Sequence, residues 1–375
     1  MSNPVSVKWL SNDMTGAPAL SYVDGSLISL LDACLKDGFN TVTLSSLVVS
    51  SGVATATVNT GHGFIDYGVV RIAGATPSEL NGDKRITKTG SNTFTFDATG
   101  ISNQTATGTI TAKVSPLGWE KIYSGTNKAV YRPQDTSGTR RYYRFNDTVA
   151  NGYYKLSSVI GYETMTDADT GVYPFPGSAY YVFKNYQINS TNIPWVLIGD
   201  GSAFYLIVSV YSAGPWMHCH FFGDVVSVVP DDPYRAAIIS NYGISPTDES
   251  RFSMINNSHS AGRALCRNAV GSAGAVAFAT FSAAITPTYM GVGGVPYPNR
   301  ANNGLLVAPV FLNEGGIIRG ALPGCYSPLH NTSLPNGVFV VSDEGLVGRM
   351  LYVSAMYTTT DNSARAAFDI TGPWR

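Results

Sequence analysis

The sequence predicts a mainly β protein, built of β-sandwich or barrel-like domains with one short N-terminal amphipathic helix. Three observations carry this. Apolar residues come in short runs, many of them alternating with polar ones, and Gly, Asn, Asp or Pro breaks the runs every few residues. Residues suited to pleated surfaces are plentiful: the 375 residues include 22 Tyr and 16 Phe, with 39 Gly to turn the chain. Only 13% of residues are charged, about half the usual share, so much of the surface is weakly charged and tolerant of contact with other subunits.

The helix lies in residues 24–39, DGSLISLLDACLKDGF. Leu27, Leu30, Leu31, Cys34 and Leu35 stand at i, i+3, i+4, i+7 and i+8, the spacing of one buried helical face. Asp24 or Ser26 is placed to cap its start, Lys36 suits the last turn and Gly38 suits the stop. The apolar face is expected to pack on its own domain.

Residues 45–113 change texture. GVATATVN alternates, with Ala54, Ala56 and Val58 on one side, and NTFTFDAT puts Phe94 and Phe96 on one face. With GVVRIAGA, KRITKTG and GTITAKV they make five short strands, a small β-sandwich or barrel module. Turns are expected at Asn81-Gly82 and at Gly90-Ser91. The lone His62, in GHGF, reads as a structural turn residue.

From Trp119 the segments AVYR, RRYYRF, GYYKL, AYYVFKN, WVLIGDGSAFYLIVSVY and HCHFFGDVVSVV all read as strands. Asp200-Gly201, between two apolar runs, is the strongest hairpin signal in the chain. Residues 230–375 add strands between Gly/Pro/Asn loops, and the long loop TPTYMGVGGVPYPNRANNG has the length of a binding or contact loop.

Few residues carry chemistry. The formal net charge of −1 argues against a general nucleic-acid binder, which needs a basic footprint. No apolar run reaches the ~20 residues of a membrane helix, and MSNPVSVKWLSNDM lacks the apolar stretch of a signal peptide. The expectation is a chain made in a cytoplasm, with no membrane span. HExxH, GxxxxGK[ST], GxSxG and a strand-borne GxGxxG are all absent. DADTG at 167–171 is one residue short of a calcium loop and reads as an Asp-based turn. Asp231-Asp232 and Asp343-Glu344 are adjacent pairs in polar turns; paired carboxylate catalysis needs two carboxyls that face each other across a gap of several Å, which a sequence alone does not show. Cys34, Cys219, Cys266 and Cys325 are far apart and form no CxxC, so they read as reduced, buried thiols.

The tripeptide His218-Cys219-His220 sets two of the chain's five histidines two residues apart. On a strand, His218 and His220 point to one face and Cys219 to the other. Two histidines make an incomplete zinc site. One alternative is a threefold axis on which three chains supply six nitrogens to a transition metal. Among Trp216, Phe221 and Phe222 the pair reads as packing or interface. No catalytic, cofactor-binding or metal residue is assigned, and no cofactor is expected.

Several phrases taken together carry a resemblance. VKWLSNDMTGAPAL…GSLISLLDACLKDGF, GWEKIYSGTNKAVYR, YETMTDADTG, PWVLIGDGSAFYL, HFFGD and the ending DITGPWR resemble an uncharacterised family of tailed-phage and prophage structural proteins, over nearly the whole chain. Residues 45–113, marked by GHGF, LNG and TFTF, resemble a small β module that recurs in phage tail proteins. The likeness implies a virion component of the tail tip or baseplate, assembled in the bacterial host cytoplasm, and no enzyme. It also implies an order: a discontinuous β-rich domain of 1–44 plus 114–229 that carries the helix, the module 45–113 inserted into it, and a β-rich C-terminal domain, 230–375. The expected partners are the chain itself, as a trimer or hexamer, and other phage tail proteins. A receptor-binding module that touches a host glycan or pilus is the alternative, with YYRF, YPFPGSAYY and YMGVGGVPYPN as candidate tips; a head-decoration protein differs from the first reading only in location.

Overall fold

The computed structural model describes residues 5–148, 155–185, 191–209, 217–240, 262–279, 295–301, 303–330, 333–341, 346, 348–356 and 365–375. Among the described residues the chain is mainly β, 53% strand and 5% helix, in several antiparallel sheets with no closed barrel.

Three stacked layers make the bulk of the core. The middle layer is a sheet in the order Lys8–Ser11, Trp195–Gly199, Ala203–Ser209, Met217–Asp224, Ala236–Ser240, Gly262–Leu265, Gly274–Ala275. All its pairings are antiparallel. Trp195–Gly199 and Ala203–Ser209 are buried at every position. Their sequences, WVLIG and AFYLIVS, are largely apolar at both parities, as a strand covered on both faces requires. The Asp200-Gly201 signal is the turn between them, where the Asp200 carboxylate accepts the N–H groups of Ser202 and Ala203, both at 2.8 Å. Strands from both sides of residue 230 belong to this one sheet.

One outer layer is a five-stranded meander: Trp119–Gly125, Lys128–Pro133, Tyr142–Asn146, Lys155–Met165 and Gly171–Asn185. Phe204 meets Trp119 with ring centres 5.1 Å apart, and Phe222 meets Phe145, also at 5.1 Å. The other outer layer runs Ala277–Ala279, Val307–Glu314, Ile317–Pro328, Arg365–Asp369, Met350–Ala355, Val338–Val341. Here Tyr205, of opposite parity to Phe204, sits 4.9 Å from the Phe368 ring and donates its hydroxyl to Pro323 O at 2.9 Å. Such aromatic pairs are worth about 0.5–1.5 kcal/mol each beyond the area they bury.

Residues 39–114 form two further sheets. One has the order Phe39–Thr43, Thr111–Val114, Val69–Ala73, Gly82–Arg85; the other Thr87–Lys88, Thr93–Asp97, Val53–Thr57, Ser46–Ser50, Gln104–Thr105. Ala54, Ala56, Val58, Phe94 and Phe96 all point into their core. The first and last strands pair, with Thr43 opposite Thr111, so the ends of the segment lie side by side. The expected turn at Gly90-Ser91 is present, closed by the bond from Gly90 N–H to Thr93 O at 3.0 Å. That at Asn81-Gly82 is displaced: Gly82 opens a strand, and the Asn81 amide bridges both backbone groups of Ala75 instead.

The helix runs over Ser26–Leu31 and continues as a π-type segment, Asp32–Asp37. All five residues of the predicted face are fully buried. Gly38 ends it at φ +72°, where a Cβ would collide with Val114 O. The chain leaving the 39–114 segment then binds the helix end, Leu117 and Gly118 donating to Cys34 O and Leu35 O. The expected caps do not form. Asp24 pairs with Lys155 at 3.1 Å and the Ser26 hydroxyl donates to Ser21 O. Gly25 takes the capping position and has no side chain to offer, so the cap comes from far along the chain: Asp147 accepts the Leu27 N–H at 2.9 Å. The same carboxylate accepts from Ser157 and pairs with the fully buried Lys184 at 2.6 Å, and Lys184 also donates to Val23 O. Among the described residues no helix is long and apolar enough to cross a membrane.

Candidate functional site

Several separate parts of the chain meet around a half-open polar cleft of about 530 Å³. Its walls come from Val5, Ser6 and Lys8, the 39–114 segment (Arg71 and Asp83), Leu117, the 135–137 loop, the Asp200-Gly201 turn and residues 373–375. The middle sheet places two of these parts: its edge strand Lys8–Ser11 carries Lys8, and the hairpin turn carries Asp200.

The charges in the cleft are arranged in pairs. Asp83 takes a two-pronged contact from Arg71, at 2.8 and 3.1 Å, a bond from the Ser115 hydroxyl at 2.6 Å, and Lys8 Nζ at 2.7 Å. Burial alone would raise the Asp83 carboxyl, but the hydrogen bonds and charges of Arg71, Lys8 and Ser115 outweigh it and hold the pKa at about 2. Lys8 is lowered from its ordinary value by burial, partly offset by Asp83. Asp200 is raised by burial, against the pull of Arg375 at 3.4 Å and the two backbone donors of its turn. Asp135 accepts the N–H and hydroxyl of Ser137 and the hydroxyl of Ser202. Burial pushes against these bonds, and the net result is a carboxyl below its usual range.

The tripeptide His218-Cys219-His220 lies in the middle layer, split as strand geometry requires. His218 and His220 face the meander: the His218 ring lies 4.5 Å from that of Phe183, and His220 sits under the same strand. Cys219 faces the opposite layer. His220 Nε2 accepts the Phe183 N–H at 3.3 Å, so the proton is on Nδ1, which donates to Ser240 Oγ at 3.0 Å; Ser240 in turn donates to Tyr181 O. Burial without a countercharge pushes the His220 pKa down to about 3. The ring is a neutral staple between sheets. Both its nitrogens are committed, and both histidines lie inside the subunit rather than on a face that three copies could share.

The other histidines singled out or described act alike. His62 Nδ1 accepts the Phe64 N–H at 2.9 Å and Nε2 donates to Gly90 O at 2.9 Å. His330 Nε2 accepts from Leu306 N–H and Nδ1 donates to Pro296 O. In DADTG, Asp167 accepts the N–H groups of Asp169 and Thr170 while Asp169 pairs with Lys128 at 2.9 Å and with Arg144, which is an Asp-based turn. Asp232 accepts from Ser227 Oγ and Tyr234 N–H, closing the turn it shares with Asp231. Asp343 and Glu344, and most of the 286–304 loop, lie outside the described residues. The four cysteines are free and buried. Among the described residues no three His, Cys, Asp or Glu side chains are grouped as a metal would need.

Sequence reasoning missed the cleft. Lys8, Arg71, Asp83, Asp135 and Arg375 share no spacing or motif, and in the sequence Asp200 stands out only as a turn residue. Neither a protein-family model nor a curated protein matches the chain.

Proposed function

We propose that the chain is a structural protein of a phage virion, a tail tip or baseplate component that assembles with copies of itself and with other tail proteins. The sequence resemblance over nearly the whole chain supports this reading. One structural observation adds to it. Val228, Val229, Val270 and Ile317 are 54–86% exposed and gather around one ion pair, Glu314 with Arg319. Val228 N–H bonds Arg319 O, Ala269 N–H bonds Glu314 at 2.9 Å, and Ile317 opens the strand that carries Arg319, paired with Glu314 across the Gly315-Gly316 turn. Apolar side chains grouped this way suit contact with another subunit. In this proposal 45–113 is a module inserted into a domain of 1–44 plus 114–229, which the adjacency of its ends supports; the division at 230 draws no such support, because one sheet spans it.

A receptor-binding role is the second reading. In the candidate tip YPFPGSAYY, Tyr173 is 66% exposed and lies under the Arg267 guanidinium, 5.1 Å from its ring centre.

The test is mass spectrometry and immunogold labelling of particles from a lysogen that carries the gene, with light scattering and metal analysis of the purified protein. Labelling at the tail end and a metal-free trimer or hexamer are expected. Absence from purified particles refutes the virion reading.

A further inference from the structure

We infer that the cleft between Lys8, Asp135, Asp200 and Trp374 is a binding site for a neutral polyhydroxylated ligand, a saccharide. This goes beyond a structural role in a virion.

The cleft holds Lys8, Arg71 and Arg375 against Asp83, Asp135 and Asp200, so its formal charges cancel. A metal ion would meet three cations and an anion three carboxylates, each at close range. A neutral ligand meets neither penalty.

The open capacity lies on two carboxylates. An ionised carboxylate has about four lone-pair positions. Asp83 uses all of them, on Arg71 twice, Lys8 and Ser115. Asp135 takes two bonds on Oδ1, from Ser137, and one on Oδ2, from Ser202. Asp200 likewise takes two on Oδ1, from Ser202 and Ala203, and one on Oδ2, from Arg375 at 3.4 Å. Each Oδ2 can therefore accept one further hydroxyl. Ser202 bonds both carboxylates and ties them into one rigid unit. Lys8 Nζ spends two of its three donors, on Asp83 and Pro116 O, which leaves one to meet a ring or hydroxyl oxygen. Two carboxylate acceptors and an ammonium donor around one space match the hydroxyls of a sugar.

The walls supply the other half of sugar recognition. Trp374, Pro373 and Leu117 line the same cleft and offer apolar surface to the C–H face of a pyranose. Trp374 is held rigidly, its Nε1 donating to Asp369 O at 2.9 Å and its ring packed on Tyr205. At about 530 Å³ the space falls within the range of small-ligand pockets.

The test is saturation-transfer NMR of the full chain with free rhamnose, galactose, glucose, mannose, N-acetylglucosamine, maltose and lactose. Any hit is then titrated calorimetrically, and calcium chloride and sodium phosphate are run in parallel. At least one sugar is expected to bind, and Asp135→Asn is expected to weaken it about tenfold, as loss of a hydrogen bond to a charged group does. Asp135 is exposed, so the variant keeps the fold, checked by an unchanged thermal midpoint. Trp374→Ala is the second variant and is expected to abolish transfer to ring protons. The inference is overturned if no sugar in the panel binds at millimolar concentration, if a sugar binds wild type and both variants alike, or if calcium or phosphate binds in an Asp135-dependent way.

Discussion

Replacing His220 with Gln tests the reading of that residue as a neutral staple. In the folded chain the imidazole is fully buried, accepts from Phe183 N–H and donates to Ser240, and its pKa is pushed down to about 3 by burial. In the unfolded chain it returns to about 6.5. The unfolded state therefore takes up a proton below pH 6.5 that the folded state refuses until about pH 3. Stability is full above pH 6.5 and falls with acid by about 1.4 kcal/mol per pH unit across that window. From pH 7 to pH 5 the loss assigned to this one ring is about 2 kcal/mol. His220→Gln can keep both hydrogen bonds, through its carbonyl and its amide, but cannot titrate. It is expected to be less stable at pH 7 and to lack this part of the acid slope. His330, also lowered by burial, adds a slope of the same sign that is common to both proteins and cancels in the comparison. So does Asp83, whose contribution is lost only as pH falls from about 3.8 through about 2. Urea unfolding followed by tryptophan fluorescence at pH 7 and pH 5 measures the difference. If wild type and variant lose the same stability between the two pH values, His220 is not held neutral and the staple reading fails.

Three further outcomes follow from the same geometry. Asp147→Ala strands the buried ammonium of Lys184 and uncaps the helix at Leu27; a cost of about 3–5 kcal/mol is expected in urea titration, and pairing it with Lys184→Met should recover most of it. Gly38→Ala puts a methyl group onto Val114 O at φ +72° and should cost more than ~1 kcal/mol, read from the thermal midpoint. Cys34, Cys219, Cys266 and Cys325 are buried thiols with raised pKa values, Cys266 at about 12; they should resist a thiol reagent at pH 8 in the folded protein and all react in denaturant.

What could be read from the chain was local. The five-residue apolar face predicted the helix because its period is written in consecutive residues, and Asp200-Gly201 predicted its hairpin because the turn is closed within residues 200–203. The opposite facing of His218 and Cys219 followed from strand parity alone. The helix cap was not legible: Asp147 reaches Leu27 across 120 residues, and the nearer Asp24 and Ser26 looked better suited. The displaced turn at Asn81 has the same cause, a side chain taken up by Ala75 rather than by its own turn. The cleft was invisible because its charges come from strands and loops that only the layering brings together. The layering itself was half legible. WVLIG and AFYLIVS announce strands covered on both faces, but nothing in them names the sheets that cover them.

The edge strand Lys8–Ser11 pairs with Trp195–Gly199, Lys8 standing opposite Gly199. During synthesis at ~5–20 residues per second, its partner leaves the ribosome roughly 10–40 seconds after it does. Over that interval the strands of the 39–114 segment, which among the described strands pair only with one another, can complete their sheets, while the middle layer has no second strand to start from. A sheet closed by so distant a pairing has a high contact order and forms slowly. The nascent chain thus carries a finished module beside an unfinished core, and its apolar strands stay exposed until the Trp195–Ser209 hairpin emerges. Supplying a chaperone that holds extended apolar chain should raise the folded yield more than it would for a protein whose sheets pair only neighbours.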